Sequence, residues 1–179
     1  EEKRIIEKLD EHGQTYHLIP FDLNEYGSTT DWDIESFPGP NFFLNGIFHK
    51  LDSFAKDRAE NFSRRHKNRY VINNNGARNK ALDVGRKRAK WILPWDGNCY
   101  LTQDAWSEIR NEIVKNPYFK YFTVPMARVT ENRNLLLDGF QPPAAEEPQL
   151  VFRFDASESF DPKIHYGRRP KVELLYRLG

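Results

Sequence analysis

Two short polar runs hold the residue types from which a phosphate or metal site can be built. Asn73-Asn74-Asn75-Gly76-Ala77-Arg78-Asn79 combines side-chain amides with one guanidinium. Arg78 can grip a phosphate through two parallel N–H bonds, Gly76 lets the backbone approach a ligand, and the free amides of a helix N-terminus attract an anion. The same run also suits a turn followed by an Asn-capped helix. The second run, Asp96-Gly97-Asn98, sets two oxygen donors one residue apart, a spacing that can share a hard divalent cation such as Mg2+ or Mn2+. Ordinary turn chemistry uses such a triplet as well.

The elements around these runs follow from hydrophobic spacing. Ile5, Ile6 and Leu9 predict a helix over 3–11 that Gly13 stops. Residues 16–21 (YHLIPF) read as a short strand and 22–46, with five acids and no base, as a long irregular loop. Apolar residues from Ile47 to Phe62 recur at three or four, which predicts an amphipathic helix over 47–67. A brief strand at 69–72 then leads into the Asn/Arg run. A helix over 77–90, with Ala77, Ala81 and Gly85 small enough for close packing, is followed by an apolar strand at 91–95 that delivers Asp96. Thr102 is a good N-cap for a helix over 103–115, which Pro117 ends. Two further strands fall at 119–129 and 149–154, and a last helix carries Val172, Leu174, Leu175 and Leu178. Helices alternating with short buried strands predict an α/β domain with a mostly parallel central sheet, whose ligand site lies beyond the carboxyl ends of the strands.

Composition narrows the function classes. The chain has 179 residues, 27 Lys and Arg against 26 Asp and Glu, and is 39% apolar, enough for one compact domain. A single cysteine, Cys99, excludes an internal disulfide framework and a Cys-based zinc site, and makes a reducing, cytoplasmic compartment the default. No apolar run approaches the roughly 18 residues of a membrane span. Net charge of +1 conceals an asymmetry: residues 58–90 hold eleven bases against two acids, a balance of +9, and the remainder carries −8. Such a block suits an anionic ligand, and equally a solvated helix face. The chain starts without Met inside a helical pattern and ends on one that has not run out, which suggests a piece of a longer protein.

The run from Asn73 to Trp106 resembles the central region of inverting nucleotide-sugar glycosyltransferases of the family-2 type, which have the GT-A fold. That family reads Asn-x-Gly, Ala-Arg-Asn, helix, apolar strand, Asp-x-Asp, then the opening of the next helix, and here the counterparts are Asn74-Asn75-Gly76, Ala77-Arg78-Asn79, the strand at 91–95 and Asp96-Gly97-Asn98. Gly27 to Asp31 looks like the loop after the family's second strand, and 152–179 is similar to its late segment, in which Gly-Phe-Asp precedes Glu-Asp and then Glu-Leu and Arg-Leu. The resemblance implies transfer of a sugar, of hexosyltransferase type, from a nucleoside diphosphate to an acceptor hydroxyl on a glycan, lipid or protein, assisted by Mn2+ or Mg2+. It assigns Asn75, Gly76, Arg78, Asn79 and Asp96 to the nucleotide and Asp96, Asn98 and His165 to the metal. As a loop residue, His165 could equally make a local hydrogen bond. Trp91, Trp95 and Trp106 could stack on a sugar or base, although their positions suit the core first.

Three departures bear on mechanism. The family's opening strand has no counterpart, because Glu1 already falls in the helix that follows it. Asn98 stands where the family has a second Asp. The catalytic Glu-Asp lines up with Pro170-Lys171, and an ammonium is not a carboxylate base, so Glu173, or Asp155 or Asp161 from the preceding segment, would have to serve. A catalytically inactive sugar- or nucleotide-binding relative is therefore the alternative that Lys171 favours. A nucleic-acid-binding domain using the 58–90 block ranks third, for want of a recognised motif and of aromatic residues interleaved with the bases. An interaction module attached to other domains of the same polypeptide is a further reading.

Overall fold

The computed structural model describes residues 2–35, 39–164, 169 and 171–179. The chain divides into two compact units, Glu1–Val71 and Ile72–Gly179.

The first unit is helical. It contains α1 (Glu2–Glu11), α2 (Leu23–Ser28), α3 (Pro40–Leu44), a single 3-10 turn at Phe48–Lys50, α4 (Ser53–Ser63) and α5 (Arg65–Val71). Asp22 caps α2 by accepting from the amides of Asn24 and Glu25, and Asp52 caps α4 through the amide of Ala55. Aromatic contacts link these helices, with Phe21, Tyr26 and Tyr70 in one group and Trp32, Phe42, Phe43 and Phe48 in another. Asp33 accepts from Arg65 and lies 3.0 Å from His66 Nε2.

Four expectations fail here for physical reasons, one of them the single helix over 47–67, in which extended backbone at Leu51 and Asp52 divides the 3-10 turn from α4 and α5. Residues 16–21 find no neighbouring strand. Those at 69–71 close α5, where Tyr70 docks sideways on Phe21 and donates to Glu25. The stretch 22–46 contains two short helices, each started by local chemistry that composition alone does not rank: an Asp cap for α2 and Pro40 at the first turn of α3.

In the second unit, α6 (Asn74–Arg86), β1 (Trp91–Ile92), α7 (Gln103–Lys115), β2 (Tyr121–Met126), a 3-10 turn at Asn132–Leu136, β3 (Glu146–Arg153) and α8 (Val172–Leu178) follow in order. The three strands form one sheet in the order β1-β3-β2, both pairs antiparallel. Trp91 faces Arg153, Tyr121 faces Phe152, and the ladder slips between Val124 and Met126, at Pro125, which has no amide to donate.

This corrects the expected mostly parallel GT-A-like sheet. The β1–α7–β2 succession does leave β1 and β2 pointing the same way, but β3 lies between them and runs against both. Succession along the chain reports that a helix separates two strands, not which strand each one pairs with.

Leu82 of α6, Ile92, Leu150 and Phe152 of the sheet, Ala156 and Phe160 of the following turn and Leu174 of α8 form the core of this unit. Gly85 is required where α6 crosses β1, since a Cβ there would lie 2.7 Å from both γ-carbons of Ile92. No helix among the described residues is long and apolar enough to cross a membrane.

Candidate functional site

The start of α6 and the turn after β1 meet at a cleft of about 500 Å3. One wall is α6, with Asn74, Ala77, Arg78 and Ala81; the other is the run Pro94 to Asn98. Asn73 caps α6 by accepting from the amide of Gly76 at 2.7 Å. Its side chain fills the space a Gly76 Cβ would need, with Asn73 atoms 2.7–2.8 Å from that position. Gly76 is therefore required by the cap, and the approach of a ligand is not what demands it. Ala77 and Ala81, small residues expected to serve packing, are exposed and line the cleft. Trp95 also lines it, its indole N–H tied to the carbonyl of Leu150 at 2.9 Å.

Arg78 is the centre of the arrangement and only 7% exposed. It donates to Asn75 Oδ1 at 2.9 Å and to Asp96 Oδ1 at 2.5 Å, and its guanidinium lies over the Phe160 ring. Its Nε is buried without a hydrogen-bond partner. Asn75, 1% exposed, gives its amide to the carbonyl of Asp161 at 2.8 Å, and Asn79 clamps both backbone groups of Phe160. Of the residues assigned to the nucleotide, Arg78 and Asp96 thus border the cleft, whereas Asn75 and Asn79 hold the 160–161 segment against α6.

The second oxygen of Asp96 is occupied too. Oδ2 lies 3.3 Å from Gln149 Nε2 and 3.7 Å from Lys171 Nζ. Partial burial would raise the Asp96 carboxyl, but the bond and charge of Arg78, helped by Gln149 and Lys171, outweigh it and hold the group below its ordinary value. Lys171 is 6% exposed, and its ammonium also stands 3.8 Å from Glu147 Oε1, a buried oxygen with no hydrogen-bond partner. An ion-pair chain runs Arg78, Asp96, Lys171, Glu147.

The proposed bases lie elsewhere. Asp161 accepts from the amide of Lys163 in its own turn, and Glu173 is paired with Arg177 one turn along α8. His165 lies outside the described residues. Asn98 is exposed at the rim of the cleft. Glu147, Gln149 and Lys171 are the site residues that the sequence reading does not place there. Gln149 carries a signal, as a polar side chain at the head of the apolar run QLVF, whereas the sequence marks Lys171 only as a lost carboxylate.

These residues do not suit a divalent cation. Its carboxylate ligand would be Asp96, whose oxygens already face Arg78 and Lys171, and among the described residues no three His, Cys, Asp or Glu side chains gather to hold a metal. A unit charge and an ammonium about 4 Å apart repel by about 4 kcal/mol at an effective dielectric of about 20, and a divalent ion doubles this before solvent at the rim reduces it.

The basic block separates as well. Residues 58–71 belong to the first unit and 72–90 to the second. Several of its cations are spent internally: Arg65 on Asp33, Lys67 on the carbonyl of Tyr26, and Arg86 on the carbonyls of Ala156 and Glu158. No family model, curated protein or solved structure matches this chain.

Proposed function

We propose that the Ile72–Gly179 unit takes a nucleoside-diphosphate sugar in the cleft between α6 and the turn after β1 and transfers the sugar to an acceptor hydroxyl. One observation carries the reading. Arg78 of the Ala-Arg-Asn run and Asp96 of the Asp-Gly-Asn run, eighteen residues apart, share a hydrogen bond at the wall of a single cleft large enough for part of such a donor. The reading rests on this juxtaposition and on the resemblance of the two runs, and takes nothing from the sheet. Arg78 meets the diphosphate, the amide of Asn98 and the ring of Trp95 meet the sugar or base, and Glu147, outside the cleft lining but next along the ion-pair chain at 3.8 Å from Lys171, is the carboxylate assigned to take the acceptor proton.

Binding without transfer is the second reading, and Lys171 favours it, because its ammonium is paired with Asp96 at the position where the family pattern has its base. Turnover of UDP-, GDP- and ADP-sugars by the full-length protein separates the two. Transfer is supported if Glu147→Gln lowers the rate by about 100-fold or more while Glu173→Gln retains it. Saturable donor binding with no turnover moves the conclusion to the second reading. Failure to bind any donor removes both.

A further inference from the structure

We propose that Arg78 and Lys171 bring to Asp96 the two positive charges that one divalent cation would otherwise supply, so that the cleft receives a nucleoside diphosphate without metal. The inference rests on the cleft being a diphosphate site and adds how its charge is balanced. Asp96 is the only carboxylate of its triplet, Asn98 being neutral. Its two oxygens are divided between the cations, Arg78 at 2.5 Å on Oδ1 and Lys171 at 3.7 Å on Oδ2. Both cationic side chains are more than nine-tenths buried, so neither swings away easily to admit a third cation. Each is held from a second side, Arg78 by Asn75 and Lys171 by Glu147. Arg78 also keeps a buried N–H, at Nε, that no protein group accepts. An incoming phosphate competes with Asp96 for a guanidinium whose fork matches it, while Lys171 retains the carboxylate that is displaced.

The charge arrangement makes a reciprocal test available. Lys171→Asp would put a carboxylate where an ammonium now stands near Asp96 and Glu147, giving the oxygen ligands a hard cation takes, and so should create metal binding that the native chain is expected to lack. Lys171→Met keeps the length and removes the charge. The free-Mn2+ electron paramagnetic resonance signal is recorded as the full chain or Lys171→Asp is added, and UDP, GDP and ADP are titrated calorimetrically with EDTA or with Mn2+.

The native chain is expected to leave the Mn2+ signal unchanged and to bind at least one diphosphate in EDTA within about threefold of its affinity in Mn2+, and Lys171→Met to weaken that binding about tenfold, as loss of one buried ion-pair partner can. Lys171→Asp should deplete the Mn2+ signal. Diphosphate binding that requires Mn2+ in the native chain overturns the inference and leaves the donor-site reading standing. Absence of diphosphate binding in both buffers overturns the two together. The native-chain measurements decide the matter whether or not the variants fold.

Discussion

Asp96 shows how one residue's surroundings decide which chemistry it can offer. As part of an Asp-Gly-Asn triplet it reads as half of a metal site, yet its oxygens face Arg78, Gln149 and Lys171. The sequence makes an Asn cap on α6 plausible, because that contact is local, and it assigns Arg78 to a phosphate, whereas in the fold Arg78 pairs with Asp96. It conceals Gln149 and Lys171, which reach Asp96 from 53 and 75 positions away along the chain. The pH response follows from the same contacts. Because the folded carboxyl sits below its ordinary value of 3.8, the ion-pair contribution is complete above that value and is lost as pH falls through the lower folded value. Asp96→Asn should therefore destabilise the protein at pH 7, and the gap to the native chain should close below about pH 4. Urea unfolding at pH 7 and pH 3 checks this; an equal gap at both would mean that shape, not charge, sets the residue's worth.

At the scale of elements, helices with their own punctuation were the most legible. The expected helix over 103–115 is α7 to the residue, with Thr102 Oγ1 accepting from the amide of Ala105 at 3.1 Å. Thr102→Ala should cost about 1 kcal/mol in urea unfolding. Strands were less legible: β1 is only two residues long, because after Ile92 the backbone turns into Pro94 and the Asp96 turn and gives up the ladder. Gly85 shows where helix propensity and packing oppose each other. An alanine would improve α6 by about 1 kcal/mol in isolation, but its Cβ would press on a buried, branched Ile92, and overpacking costs about 1–3 kcal/mol. Gly85→Ala should thus be net destabilising, whereas Gly97→Ala, with nothing within 4 Å of the new methyl, should shift stability by less than about 0.5 kcal/mol. A stabilised Gly85→Ala would mean that α6 and β1 can separate without loss.

At the scale of the whole molecule, the two units differ in what holds them together. Every buried hydrophobic side chain among the described residues belongs to the second unit, from Leu82 to Leu174, while the only fully buried residue described in the first is Ser63. The first unit relies on partly exposed ring contacts and on largely buried ion pairs such as Arg65–Asp33, whose attraction is offset by desolvation, so little is left against the entropy of ordering a chain. Hydrophobic patterning could not reveal this division, because Ile47, Phe48, Phe54 and Phe62 have helical spacing whether or not a core receives them. A fragment spanning 72–179 should unfold cooperatively in urea and retain the diphosphate binding proposed for its cleft, since the side chains that build the cleft and those that bury the core all lie within it. A fragment spanning 1–71 should lose its helical circular dichroism gradually, without a sharp midpoint. If 72–179 were unfolded alone, its cluster around Phe152 would not suffice as a core, and the boundary at Val71 would mark a change in geometry with no corresponding break in stability.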